Sequence, residues 1–145
     1  MSAGPAVDPR GPRFAAIVTT IVLAVVLLTG WWPLLATQTV VFAIGAFIGL
    51  RPAPYSVLFR LLVAPRLKPT SEREDAAPLR FAQAVGFGFA LIGTIGYAAG
   101  ATAIGVVATA FALFAAFLNA AFNFCLGCEM YLLIKRLRPQ AEQAS

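Results

Sequence analysis

The chain has 145 residues, 60% of them hydrophobic and 12% charged, where a soluble domain carries roughly 25% charge. Together with a mean hydropathy of +0.84, this composition describes a protein whose solvent is a bilayer and excludes a soluble enzyme or an independent nucleic-acid-binding domain. The net charge of +5 has a use in membranes too, because Lys and Arg set topology.

After a tail covering residues 1–13, the sequence is apolar from Phe14 to Trp32 and again from Trp32 to Leu50. A hydrocarbon core about 30 Å thick needs roughly 20 helical residues, so each segment is predicted to cross, making a first transmembrane hairpin over 14–50. Gly30 and Pro33 mark its turn, and Trp31 and Trp32 suit the aromatic belt at a membrane surface. The first segment is not read as a cleaved signal peptide, since Trp31, Trp32 and Pro33 stand where a small-residue cleavage site belongs.

Residues 51–80 bring back prolines and both signs of charge and form the main extramembrane loop. Within it, Tyr55 to Val63, bounded by Pro54 and Pro65, is predicted to be a short interfacial helix. A second hairpin spans 81–134, turning at Gly100. Its apolar run from Thr102 to Ile134 is about 50 Å long at 1.5 Å per residue, too long for one crossing, so it should bend around Asn123 to Gly127. Residues 135–145 are a tail.

All 11 basic residues fall in the two tails and the central loop, and neither hairpin turn has one. The expected fold is an all-α membrane protein of four transmembrane helices. Its loop and termini lie on the cytoplasmic side by the positive-inside rule, in a bacterial cytoplasmic membrane, where the basic face contacts membrane lipid. No nucleic acid is needed to explain the charge.

The two halves resemble each other. Asp8 to Ala15 reads DPRGPRFA and Asp75 to Ala82 reads DAAPLRFA, and Leu50-Arg51-Pro52 matches Leu137-Arg138-Pro139. These matches point to one hairpin used twice, as parallel repeats about an axis along the membrane normal. Gly45-x-x-x-Gly49 and Gly96-x-x-x-Gly100 are expected to let helices approach closely.

One constellation is chemically specific. The run NAAFNFCLGCEMY, Asn119 to Tyr131, holds both cysteines of the chain, Cys125 and Cys128, as a C-x-x-C. At i and i+3 on a helix they share a face and lie within reach of a disulfide. Asn119 and Asn123 lie one turn apart and approach the pair from the apolar side, and Glu129 is one turn beyond Cys125. From the other half, Gln83, Arg13 and Arg80 reach the same level. Polar groups at such depth mark a functional site, and a guanidinium favours a thiolate while a helix C-terminus opposes one, so the net sign is left open. Structural zinc usually takes four ligands; two cysteines and no histidine cannot supply them within one subunit, so no metal or cofactor is expected unless a homo-oligomer shares a site. Inert packing of the cysteines is the bland alternative.

The passages VDPRGPRFAA, EDAAPLRFAQAVG and LNAAFNFCLGCEMYLL are similar to the bacterial membrane family catalogued as domain of unknown function 4395, over about Val7 to Leu133. That family has no established activity. The resemblance implies a link to thiol or sulfur metabolism, with a cytosolic thioredoxin-like protein or sulfurtransferase as partner. The leading expectation is a membrane component in which Cys125 and Cys128 perform thiol–disulfide or persulfide exchange, with Asn119, Asn123, Gln83, Arg13, Arg80 and Glu129 around the substrate. A channel or carrier for a small sulfur-containing solute and a non-catalytic scaffold are the alternatives; span interiors free of charged residues argue against ion-coupled transport.

Overall fold

A computed structural model describes residues 6–7, 10–49, 54–63, 65, 74–122 and 124–144, with backbone only at 6, 7, 10, 56, 74–76 and 138–144. It is helical almost throughout. Helix α1 covers Arg10–Thr29 and α2 covers Trp32–Ala43, continuing as a π-helical turn over Ile44–Ile48. Helix α3, Pro54–Leu58, also runs on as a π-helical turn, Phe59–Val63. Then come α4 (Ala76–Ala98), α5 (Thr102–Phe122) and α6 (Leu126–Ala144).

The punctuation follows local chemistry. Gly30 and Gly100 take φ of +69° and +84° at the two hairpin turns, a region open to glycine because it has no Cβ. Pro33 sits in the first turn of α2, where its missing N–H costs nothing. Gly49, at φ 148°, closes the π-helical turn by donating its N–H to the Ile44 carbonyl at 2.9 Å.

Three helical segments, Gly11–Thr29, Ala77–Ala98 and Thr102–Phe122, are long and apolar enough to cross a membrane. The second apolar segment is shorter: Trp32–Ile48 is about 25 Å long at 1.5 Å per residue, less than the ~30 Å of a hydrocarbon core. The chain is therefore a membrane-type helical protein. Its outward faces agree, since Ile17, Ile21, Leu28, Ile95, Ile104 and Val107 are all exposed, a surface that suits lipid and would aggregate in water.

Helix α4 is central, packing on α2, α5 and α6, while α1 packs chiefly on α5. Leu23, Val26, Leu35, Phe42, Ala90 and Ala112 form the buried core. Small residues set the spacing. At Gly96 an added Cβ would lie 2.8 Å from the backbone N of Gly105, so α4 and α5 touch through their main chains next to their turn. The two glycine pairs therefore divide their roles: Gly45 and Gly96 admit neighbours, whereas Gly49 and Gly100 end helices.

The segments before α1 and α4 meet in a two-residue antiparallel pairing, Ala6–Val7 with Glu74–Asp75, in the register Ala6↔Asp75 and Val7↔Glu74. The amino-terminal ends of α1 and α4 are thereby held at one end of the bundle. The helix expected in the central loop is present at Pro54–Val63, and it is tied to the bundle on the α1 side by the Phe14–Phe59 ring contact.

Candidate functional site

The apolar run that is too long for one crossing breaks where α5 stops at Phe122, and α6 starts at Leu126. The Phe124 N–H closes the end of α5 on the Leu118 carbonyl at 3.2 Å. Cys125 then begins α6. Its carbonyl accepts the Glu129 N–H at 3.0 Å, and its Sγ accepts the Cys128 N–H at 3.1 Å. Cys125 thus occupies the N-cap position and Cys128 the third residue of the helix, a geometry in which a side-chain acceptor satisfies an orphan N–H. The sulfurs are joined as a disulfide, with Cα atoms 5.1 Å apart.

Cys125 lies at the positive end of α6, and the helix dipole and the Cys128 amide both stabilise a thiolate there. The opposing carboxyl end belongs to α5, which has already terminated.

Packing places this turn against α4. A Cβ on Gly127 would stand 2.5 Å from both Cα and Cβ of Ala82, so only glycine fits at position 127. One turn on, Tyr131 meets Phe81 at a ring separation of 5.8 Å. The next residue of α4, Gln83, lies over Gly45, where a Cβ would come 2.8 Å from its Oε1. The missing side chain at Gly45 is what makes room for it.

Gln83, Asn119 and Cys125 line one cavity of about 400 Å³, which extends past Phe42 and Ala112 to Thr19 and Tyr55. Its wall is predominantly apolar. Phe111, Phe114 and Met130 also line it and are 58%, 56% and 46% exposed, so the cavity opens through the outward face between α5 and α6. Cys128 does not line it.

The remaining residues singled out in the sequence lie elsewhere or outside the described set. Arg13 donates from Nε to the Ala120 carbonyl at 3.3 Å, and Arg80 donates from Nε and Nη2 to the Ala46 carbonyl at 3.3 and 3.0 Å. Each guanidinium therefore serves a carbonyl in the last turn of a helix, where a cation complements the dipole, and neither lines the cavity. Their neighbours Pro12 and Leu79 do. Glu129 is exposed and away from the cavity wall. Asn123 lies outside the described residues. Among the described residues, no three of His, Cys, Asp and Glu cluster to hold a metal ion.

Tyr55 escapes the sequence reading. Its hydroxyl donates to Gln38 Oε1 at 2.6 Å, and Gln38 is 1% exposed within α2. Burial pushes the Tyr55 phenol above its usual range, which keeps it a donor. An isolated tyrosine after two prolines carries no signal of this long-range pairing; a buried glutamine in an apolar helix, which demands a partner, is the clue in the sequence.

Neither the curated proteins nor the solved structures contain a match to this chain. The family comparison does: the model described as Domain of unknown function (DUF4395) matches residues 7–136, and the chain belongs to that family.

Proposed function

We propose that the protein is an integral membrane component of thiol or sulfur metabolism in which Cys125 and Cys128 cycle between dithiol and disulfide. The observation that carries this reading is the pairing of the two cysteines at the start of α6, with Cys125 on the wall of a cavity that also holds Gln83 and Asn119. An incoming thiolate attacks Cys128 Sγ and expels Cys125 as a thiolate, the better leaving group because the helix N-terminus stabilises it. A second thiol of the partner then attacks the mixed disulfide, leaving the partner oxidised and the pair reduced. Gln83 and Asn119 offer amide donors beside Cys125. Arg13 and Arg80, each next to a cavity-lining residue, attract an anionic thiolate or persulfide to that edge.

The partner proposed is a cytosolic thioredoxin-like protein or sulfurtransferase, and the membrane a bacterial cytoplasmic one with both termini inside. The four-crossing topology treats α2 with its π-helical turn as a short crossing, accommodated by modest local thinning of the bilayer. Both hairpin turns lack basic residues, which fits that arrangement.

A duplicated hairpin is supported by reciprocal contacts. Arg13 of the first half bonds the Ala120 carbonyl of the second, and Arg80 of the second bonds the Ala46 carbonyl of the first. The ring pairs Phe14–Phe59 and Phe81–Tyr131 both lie at 5.8 Å. The interval from Asp8 to Asp75 also separates Val7 from Glu74, which pair with each other as residues on a two-fold axis would. We take Ala46 with Ala120 and Phe59 with Tyr131 as the equivalent positions, a register that leaves the Leu-Arg-Pro match at the exits unaligned. In this register Ser56 stands where the second half has Cys128, and the dithiol belongs to one half alone.

The direct test is to quench cells with a thiol-alkylating reagent and weigh the purified protein by mass spectrometry. A fraction protected as disulfide or persulfide, changing with sulfur supply, is expected. Two plain thiols under every condition would end the redox reading.

A further inference from the structure

We propose that the cavity beside Cys125 binds a lipid-soluble quinone, which accepts the electrons of the reduced cysteine pair; the inference rests on the thiol–disulfide cycle proposed above. Three observations converge on this occupant. The cavity is about 400 Å³, within the ~300–1,000 Å³ typical of small-molecule sites. It opens past Phe111, Phe114 and Met130, on an outward face that suits lipid rather than water, so its ligand arrives from the bilayer. Its wall carries Cys125 and two carboxamide residues, Gln83 and Asn119, whose N–H groups can donate to quinone carbonyl oxygens. An acyl chain would have no use for those amides.

The chemistry also calls for such an acceptor. The chain has two cysteines, both in this one pair, so a reduced pair has no second dithiol to which it can pass electrons. The balanced step is dithiol plus quinone giving disulfide plus quinol. The Sγ–Sγ bond forms, both S–H bonds are lost, and two electrons and two protons reduce the two carbonyls of the quinone to hydroxyls. The quinone leaves as quinol by the lateral opening. Cys128, which does not line the cavity, stays available to the soluble thiol that re-reduces the pair.

The test uses the full chain, reduced with a phosphine, freed of excess reductant and reconstituted in anaerobic nanodiscs. Decylubiquinone is added; its ring is fully substituted, so thiols reduce it instead of adding to it. Ultraviolet absorbance follows the quinol and alkylation with mass shift follows the cysteines. The expected result is one quinol per disulfide. Ala115→Trp, which fills the cavity from its α5 wall, should weaken the apparent quinone affinity by about tenfold or more and leave oxidation by a soluble aromatic disulfide, which needs no cavity, unchanged. Misfolding of that variant would show as loss of both reactions, and the wild-type stoichiometry then decides alone. If wild-type protein reacts with the soluble disulfide but yields no quinol, the quinone site is refuted and the thiol–disulfide reading survives. Failure with both oxidants refutes both.

Discussion

The placement of Gly127 makes the sharpest prediction. Two effects of Gly127→Ala oppose each other. Gly127 lies within α6, where replacing Gly by Ala should stabilise a helix by about 1 kcal/mol from backbone preference alone. Against that, the new Cβ would meet Ala82 Cα and Cβ at 2.5 Å, whereas carbon atoms rest at about 3.5–4.0 Å. Ala82 Cα is main chain of the central helix and cannot rotate away, so α6 must retreat by roughly 1 Å or more to restore contact. Overpacking of this kind costs about 1–3 kcal/mol. Where the obstacle is backbone the upper part of that range applies, so the net expectation is a loss of about 1–2 kcal/mol. The retreat also draws Cys125 off the cavity wall next to Gln83, so disulfide exchange should slow along with the loss of stability. The assay is reversible unfolding in detergent, paired with the rate of reduction by a soluble dithiol. Ala82→Gly removes one of the two contacts, and the double variant should recover part of the loss as a coupling energy. Gly127→Ala protein that is as stable as wild type or more so, with unchanged exchange, would refute the close packing of α6 on α4.

Three further outcomes follow from other contacts. Tyr55→Phe removes the donor to Gln38 Oε1 from an amide whose Nε2 has no partner among the described residues, and should cost about 1–3 kcal/mol in the same unfolding assay; a neutral result would mean that Gln38 is hydrated. Arg80→Met gives up two bonds to the Ala46 carbonyl from a half-buried position, whereas Arg13→Met gives up a single 3.3 Å bond from an exposed one. Hydrogen bonds to charged groups contribute about 1.5–3 kcal/mol and less when exposed, so Arg80→Met should lower the melting temperature more; the reverse order would contradict the geometry. In reduced protein, Cys125 should alkylate at lower pH than Cys128, because the amino end of α6 stabilises its thiolate; mass spectrometry of the two modified peptides across pH checks the order.

Much of the fold could be read from the sequence because it depends on local rules. Gly30, Pro33 and Gly100 punctuate the hairpins through backbone geometry, and the break before Cys125 follows from an apolar run that exceeds one crossing. The second apolar segment depends on more than local rules. Its 19 apolar residues promise a full crossing, yet Gly49 ends the helix early and its last turn widens to π geometry. That widening accompanies two interactions no local window contains, Gln83 over Gly45 and Arg80 on the Ala46 carbonyl. Gln83 and Asn119 were identifiable as site residues since polar groups stand out in apolar helices, and both line the cavity with Cys125. Arg13 and Arg80 share only their level in the membrane with the dithiol in the sequence pattern. Level does not give azimuth, and each turns to a carbonyl on the opposite half.

By itself, the sequence determined the solvent, the helical class, the turns and the identity of the reactive pair, because composition, periodicity and glycine or proline placement act over a few residues. Tertiary structure alone decided which helix owns Cys125. In sequence the long apolar run is expected to bend somewhere from Asn123 to Gly127, which leaves open whether the pair ends one helix or starts the next, and with it the sign of the dipole at Cys125. In the structure α5 stops at Phe122 and Gly127 packs on Ala82, so Cys125 starts a new helix at the positive end of its dipole, on the wall of a cavity lined from all six helices.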